Sequence, residues 1–162
     1  MTSQQALIRL EDLCARAERC TCELQQKLRT WGIAGADARK IIDSLTERRF
    51  VDDVRFARAY AGDRVRFGRR GRLLVRRELM LKRIPADVIA EVLDDIDPDL
   101  YLDNLDHTLR AKLRQLTPAD SDPATALADY DVRQKLLRHA VSRGYEVSLA
   151  ASHIRQLASA AD

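Results

Sequence analysis

Three stretches of the chain repeat one helix–turn–helix pattern of apolar residues. A shift of 51 positions places one set of apolar residues on the next: Leu24, Leu28, Ile33, Ile41, Ile42 and Leu45 on Val75, Leu79, Ile84, Val92, Leu93 and Ile96. A shift of 112 positions does the same for a third set: Leu136, Ala140, Gly144, Tyr145, Ile154 and Leu157 fall on Leu24, Leu28, Gly32, Ile33, Ile42 and Leu45. One copy cannot bury its apolar stripe alone, so the copies must pack together.

The composition predicts that these repeats are helical throughout. Only 5% of the 162 residues are aromatic, 33% are charged, and six Gly and four Pro leave few turns for an all-β fold. Long segments rich in Ala, Leu, Arg, Glu and Gln favour helix. We expect an all-α fold of three tandem three-helix repeats forming an elongated helical array, with nine helices near residues 3–18, 21–31, 35–48, 53–67, 71–83, 86–96, 98–116, 125–143 and 146–159.

Turn and capping residues divide the chain into three predicted domains: residues 1–50, 51–97 and 98–162. Residues typical of helix N-termini occur at Asp52, Asp97-Pro98 and Asp122-Pro123. A carboxylate at the cap accepts the free N–H groups of the first turn, and Pro suits the first helical position. Gly32 and Gly144 stand where helices should end. The Pro-, Ser- and Asp-rich residues near 117–124 are predicted to form a linker within the third domain.

Charge is distributed in blocks, although the net charge is only +3. Residues 64–83, the basic segment, contain nine Lys or Arg and one acid, Glu78, whereas residues 85–109 contain eight acids and no Lys or Arg. Because solvated faces usually mix signs, the basic segment is a candidate contact surface. We predict that partner or DNA binding uses Arg64, Arg66, Arg69, Arg70, Arg72, Arg76, Arg77, Lys82 and Arg83. A solvated helix face remains the alternative.

No pattern in the sequence indicates catalysis, a metal or a cofactor. The glycines Gly68 and Gly71 lack the spacing, Lys and preceding strand of a phosphate-binding loop, and more plausibly allow a turn between helices. Cys14, Cys20 and Cys22 do not have the paired spacing of a zinc site. The three His are scattered, so we predict a protein that is not an enzyme.

The N-terminus lacks the pattern of a secretory signal, and no apolar run approaches the length of a membrane helix. Three clustered cysteines in a chain of this length do not form a disulfide framework, which fits a reducing compartment. We therefore expect a cytoplasmic protein without membrane contact. We also expect a monomer.

The most specific motif lies between the first and second repeats. Residues 50–57 read FVDDVRFA, followed by Arg64, Gly71, Glu78-Leu79 and Lys82-Arg83-Ile84. This ordered set, FxDDxRFA…R…G…EL…KxI, resembles the RecX family of regulators of the RecA recombinase, as do the repeat and the length. The motif positions are predicted to be mainly structural: Phe50, Asp52, Asp53, Arg55, Phe56, Ala57, Gly71, Glu78 and Leu79. Family members usually have Gly where this chain has Arg83, so we expect a less tightly turned helix end there.

The resemblance implies a negative modulator of RecA that binds the RecA filament on single-stranded DNA. It implies inhibition of the ATPase, strand-exchange and coprotease activities of RecA. Because guanidinium groups bind phosphates and carboxylates alike, the residues alone leave open direct DNA contact by a stand-alone nucleic-acid-binding module. A helical scaffold that uses the acidic residues 85–106 as its contact face is a third possibility.

Overall fold

The computed structural model describes residues 1–160, and every regular element in that range is an α-helix. The predicted all-α class is therefore confirmed. Ten helices follow one another within these described residues: α1 (Ser3–Arg16), α2 (Thr21–Thr30), α3 (Gly35–Glu47), α4 (Asp53–Arg66), α5 (Arg72–Leu81), α6 (Ala86–Asp94), α7 (Pro98–Leu116), α8 (Pro123–Ala128), α9 (Tyr130–Ser142) and α10 (Val147–Ala160).

The repeated apolar residues lie in the core, as the pattern predicted. Residues at spacing i, i+4 share one face of a helix, so each pair can enter the core together. The first two positions of each repeat are at most 1% exposed: Leu24 and Leu28 on α2, Val75 and Leu79 on α5, and Leu136 and Ala140 on α9. The third position, Ile33, Ile84 or Tyr145, is at most 7% exposed.

The same turn ends the first helix of each repeat pattern. Gly32, Arg83 and Gly144 occupy equivalent positions and have φ values of +75°, +58° and +96°. The next residue donates its N–H to the carbonyl five residues earlier, from Ile33 to Leu28 (2.9 Å), Ile84 to Leu79 (3.1 Å) and Tyr145 to Ala140 (3.1 Å). The prediction of a looser turn at Arg83 was therefore wrong. The turn requires a left-handed residue, and Arg83 adopts that conformation although it carries a Cβ.

The prediction of a single helix over residues 125–143 was wrong, because two helices, α8 and α9, occupy this range. Asp129 interrupts them with extended backbone at φ −78° and ψ 123°. Its carboxylate accepts a hydrogen bond from the N–H of Asp131 at 2.9 Å, which caps α9. The predicted caps at Asp97 and Asp122 are confirmed, since each carboxylate accepts an N–H two residues on, at 3.0 and 3.1 Å.

Two compact units divide the chain. The first unit comprises residues 1–60 and 79–92. A hydrophobic core of this unit lies among α1, α2 and α3 and contains Ala6, Leu10, Leu24, Leu28, Ile33, Ile41, Leu45 and Val51.

The second unit comprises residues 61–78 together with the chain from residue 93 onward. Its core lies among α7, α8, α9 and α10 and contains Tyr101, Leu105, Leu109, Leu113, Leu127, Leu136, Ala140, Tyr145, Ala150, Ile154 and Leu157. The buried Asn104 of α7 donates its side-chain amide to the Val65 carbonyl at 2.8 Å, which ties α7 to the end of α4.

Candidate partner-binding surface

The basic segment runs from the end of α4 through a loop at residues 67–71 and along α5. Seven of its nine predicted contact residues, from Arg64 to Arg77, belong to the second unit, and Lys82 and Arg83 belong to the first. The loop leaves the helix at Phe67, and Arg69 adopts a left-handed φ of +48°. The helical break expected at Gly68 and Gly71 is present.

Gly71 allows the loop to lie directly against the turn between α9 and α10. Its N–H donates to the Arg143 carbonyl at 2.8 Å, and the N–H of Leu73 donates to the Gly144 carbonyl at 3.0 Å. A Cβ on Gly71 would lie only 2.1 Å from the carbonyl carbon of Gly144. Gly71 is therefore required for close backbone approach, a role that periodicity and turn propensity did not indicate.

Long-range side-chain hydrogen bonds fix the same loop. The Tyr145 hydroxyl donates to the Arg69 carbonyl at 2.6 Å, and the Arg143 guanidinium donates to the Gly68 carbonyl at 2.5 Å. Both donors lie about 75 residues away in sequence. The arginines of the loop are thus presented by a backbone with defined partners.

Arg72 takes part in a half-buried polar network. Its backbone N–H donates to the Tyr101 hydroxyl at 3.0 Å, and that hydroxyl donates to Glu146 at 2.9 Å. The Arg72 guanidinium lies 3.4 Å from Glu146 and 3.8 Å from the centre of the Tyr101 ring. Burial, together with the charge of Glu146, raises the pKa of Tyr101 far above its usual value, so the phenol remains a hydrogen-bond donor.

Glu78, the one acid of the basic segment, neutralises two of its arginines. It forms an ion pair with Arg70 and a second with Arg64, whose Nε lies 3.5 Å from the carboxylate. The side chain of Glu78 is only 18% exposed, which strengthens its attraction for both guanidinium groups. Glu78 therefore connects the end of α4, the loop and α5.

Lys82 is also engaged within its own unit. Its ammonium lies 2.7 Å from Glu23 and 5.5 and 5.7 Å from the ring centres of Phe56 and Tyr60. Burial lowers the pKa of Lys82, but the hydrogen bond and charge of Glu23 outweigh it, so the pKa lies above its usual value. The ammonium therefore stays charged in this pocket of carboxylate and aromatic rings.

Four arginines of the second unit remain exposed. Their side chains form no ion pair with any carboxylate in residues 1–160, and we call them the exposed arginine set: Arg66, Arg69, Arg76 and Arg77. Arg76 and Arg77 project outward because Val75 and Leu79 fill the inward face of α5. Phe67, beside Arg66 in sequence, is 74% exposed, which gives the same region an aromatic element. Arg83 is likewise exposed, in the first unit.

The residues of the FVDDVRFA motif lie in the first unit and stabilise its local structure. Asp52 accepts the N–H of Arg55 at 3.0 Å, and Asp53 accepts the N–H of Thr21, the first residue of α2, at 2.7 Å. The Arg55 guanidinium donates to the Arg49 carbonyl at 3.2 Å from both terminal nitrogens. The predicted cap at Asp52 is present, whereas the contact of Asp53 with α2 could not be read from capping patterns.

Two apolar positions of the same motif are buried. Phe56 is 6% exposed and Ala57 is fully buried, while the half-buried Phe50 lies under the Arg48 guanidinium at 4.9 Å. This part of the motif therefore serves the core of the first unit.

Within residues 1–160 there is no group of His, Cys, Asp or Glu side chains arranged to hold a metal ion. The three cysteines are free, and Cys20 is buried. None of the helices in the described part of the chain is long and apolar enough to cross a membrane.

Comparison with solved structures defines the class of protein. The crystal structure of a RecX protein from Lactobacillus salivarius superposes with a TM-score of 0.82 at 15% identity, covering 98% of this chain and 97% of that one. A second RecX crystal structure gives a TM-score of 0.81 at 17% identity and covers 95% of this chain and 71% of the other. The chain is an all-helical protein with the RecX-type helical-repeat fold.

Sequence comparison then identifies the family. The domain family described as "RecX, second three-helix domain" matches residues 52–93. A regulatory protein RecX from Mycobacterium sp. (strain JLS) is 30% identical over 138 residues, which cover 85% of this chain and 73% of the relative. A Clostridium tetani relative of the same name is 30% identical over 123 residues, and the match covers 76% of this chain and only 53% of that protein.

This chain belongs to the RecX family of regulatory proteins.

Proposed function

We propose that the chain is a non-enzymatic negative modulator of RecA that acts in the cytoplasm on the RecA filament formed on single-stranded DNA. In this function it lowers ATP hydrolysis, strand exchange and coprotease activity of the filament. Family membership supports a regulatory role. The observation that carries the choice of surface is the exposed arginine set, whose charges have no carboxylate partner among residues 1–160.

Some arginines of the basic segment are paired within the protein and others are exposed, which supports the choice of the exposed arginine set as the contact surface. Arg64, Arg70 and Arg72 are occupied by Glu78 or Glu146, so they stabilise the platform and have less charge available for a partner. Arg76 and Arg77 stand on a helix whose opposite face is fully buried. A rigid helix holds their guanidinium groups in fixed directions, which reduces the entropy lost on binding.

The exposed aromatic residue favours a partner that includes protein. The Phe67 side chain is mostly exposed, and arginine and aromatic residues are the types enriched at protein interfaces. The RecA filament offers both protein and DNA phosphates, and guanidinium groups can contact either.

The decisive experiment measures RecA ATP hydrolysis on single-stranded DNA with increasing amounts of this chain. We expect inhibition by the wild-type chain, and a shift of at least about tenfold to higher concentration for the triple variant Arg66→Gln, Arg76→Gln, Arg77→Gln, because about 1.4 kcal/mol of lost binding corresponds to tenfold. The charge-matched control is Lys27→Gln, Arg39→Gln, Lys40→Gln, which removes three exposed cations of α2 and α3. Unchanged ATP hydrolysis at stoichiometric wild-type chain would refute the proposal.

A stand-alone nucleic-acid-binding module is the second candidate, because the same arginines suit phosphates. It predicts tight binding of naked single-stranded DNA, with log affinity falling by about 0.7 per phosphate contact for each tenfold rise in salt. If naked DNA binds tightly and the arginine variant loses that binding without RecA, this second function replaces the first.

A further inference from the structure

A second group of cations lies on the second unit, outside the basic segment. A shallow cavity of about 310 Å³ lies between α7 and α9 and is lined by Lys112, Leu116, Lys135, Arg138, His139 and Ser142. Three of these residues are Lys or Arg and a fourth is His. No carboxylate is among the lining residues. We call this group the α7–α9 basic cluster.

Helix geometry brings these side chains together. Lys135, Arg138, His139 and Ser142 are spaced i, i+3, i+4 and i+7 on α9, so they form one face of that helix. Lys112 and Leu116 have the matching i, i+4 spacing on α7, which packs against α9 in the core of this unit. The arrangement is therefore fixed by two helices that are anchored through buried leucines.

The positive charges of the cluster are not neutralised internally. Over residues 1–160, Lys112, Lys135 and Arg138 form no ion pair, in contrast to Arg64, Arg70 and Arg72. The nearest acid on the same face of α9 is Asp131, one turn before Lys135 and outside the cavity lining. No carboxylate among the lining residues offsets these charges, which leaves a local excess of positive charge for an anion to neutralise.

The pKa of the His139 imidazole is affected by the same local positive charge. Burial first, and then the charges of Lys112 and Arg143, lower the pKa of His139 below its usual value. An anion in the cavity would relieve this positive potential. The Ser142 hydroxyl at the C-terminal end of the same face donates to the His139 carbonyl at 2.6 Å, so the cations are the groups available to an anion.

We propose that the α7–α9 basic cluster binds the phosphodiester backbone of single-stranded nucleic acid. Lysine ammonium groups attract phosphate as point charges without requiring a planar partner. The polar face from Lys135 to Ser142 extends about 10 Å along α9, from a rise of about 1.5 Å per residue, and Lys112 of α7 lines the same cavity. An extended strand with repeated phosphates fits such a row better than one small anion does.

The test measures binding of a fluorescein-labelled oligothymidylate to the full chain by anisotropy, without RecA, across a series of salt concentrations. The variant Lys112→Gln, Lys135→Gln, Arg138→Gln is compared with the control Lys27→Gln, Arg39→Gln, Lys40→Gln, which has the same net charge. We expect the cluster variant to bind at least about fivefold more weakly than the control. Its salt slope should be smaller by up to about 2, from about 0.7 for each of three lost phosphate contacts. Circular dichroism and thermal melts check that both variants fold.

The result that overturns the proposal is equal affinity and equal salt slope for the two variants. Inorganic phosphate and poly-glutamate serve as further probes, followed by amide shifts of His139 and Ser142. Shifts with either of these probes but not with the oligonucleotide would also overturn it, in favour of a free-phosphate site or an acidic protein partner. Because RecA is absent, failure here leaves the RecA proposal untouched, and loss of RecA inhibition would not affect this measurement.

Discussion

The three left-handed residues at the repeated turn allow one conformational effect to be measured in three surroundings. Gly32, Arg83 and Gly144 have φ values of +75°, +58° and +96°, and each is followed by a residue that donates to the carbonyl five residues earlier. Only Arg83 carries a Cβ. We predict that Arg83→Gly stabilises the chain, that Gly32→Ala destabilises it slightly, and that Gly144→Ala destabilises it strongly.

The expected magnitudes follow from local geometry. A left-handed backbone is unfavourable by about 1–2 kcal/mol for a residue with a Cβ, whereas glycine increases the entropy of the unfolded chain by about 0.4–1 kcal/mol. The difference gives about 0.5–1 kcal/mol of added stability for Arg83→Gly. Gly32→Ala should lose a similar amount, because a Cβ there meets no atom within 4 Å.

The substitution Gly144→Ala should cause a steric clash in addition to the same backbone strain. Its Cβ would lie 2.5 Å from the Cβ of Leu74 and 2.7 Å from the backbone nitrogen of Leu74. Backbone atoms cannot rotate away, and overpacking of this kind costs about 1–3 kcal/mol. The total loss should therefore reach about 2–4 kcal/mol.

Native-state hydrogen exchange is the appropriate assay, because the chain has two compact units and one unfolding midpoint would mix them. The amides of Ile33, Ile84 and Tyr145 report the three turns. Protection at Ile84 should rise about 2- to 5-fold in Arg83→Gly, since 0.5–1 kcal/mol corresponds to that ratio. Arg83→Ala is the control, because it removes the guanidinium and keeps the strain, so its effect should stay within about 0.5 kcal/mol.

Two outcomes would refute this reasoning. Loss of protection at Ile84 in Arg83→Gly would show that Arg83 is not strained by its left-handed backbone. Equal losses in Gly32→Ala and Gly144→Ala would show that Gly144 does not lie in contact with Leu74.

Two further predictions concern single side chains. Asp53→Ala should destabilise the first unit by about 1–2 kcal/mol, because it removes the charged acceptor 2.7 Å from the N–H of Thr21; urea denaturation and exchange of the Thr21 amide measure this. The pKa of His139 lies below its usual value of 6.5 through burial and the charges of Lys112 and Arg143, so the unfolded chain binds this proton at higher pH than the folded chain. The contribution of His139 to the free energy of unfolding should therefore be complete above about pH 6.5 and decrease as pH falls towards the folded-state pKa. Urea titrations from about pH 7.5 to 5.5 should show this decrease in wild type and not in His139→Gln.

Control variants separate these two predictions from general effects of substitution. For Asp53, the exposed Asp43 of α3 provides the control, and Asp43→Ala should change stability by less than about 0.5 kcal/mol. Equal effects at positions 43 and 53 would contradict the contact with α2. For His139, a parallel pH dependence in wild type and variant would show that its pKa is the same in folded and unfolded chains.

Features that depend on local periodicity and capping can be predicted from the amino-acid sequence. The spacing of apolar residues identified the inward faces of α2, α5 and α9, because helical side chains repeat every three to four positions. Asp97-Pro98 and Asp122-Pro123 marked helix starts, since a cap is formed within a few residues of the chain. The ordered FVDDVRFA motif and its downstream residues led to the RecX family.

Which cations are neutralised and which remain available depends on the packing of helices that are distant in sequence. Glu78 pairs with Arg64 and Arg70, Arg72 pairs with Glu146, and these choices depend on where distant helices bring the carboxylates. The close approach of Gly71 to Gly144 and the convergence of α7 and α9 around His139 join residues far apart in sequence. Periodicity fixes the direction of a side chain on its own helix, but its partner is set by packing between helices, which no local pattern encodes.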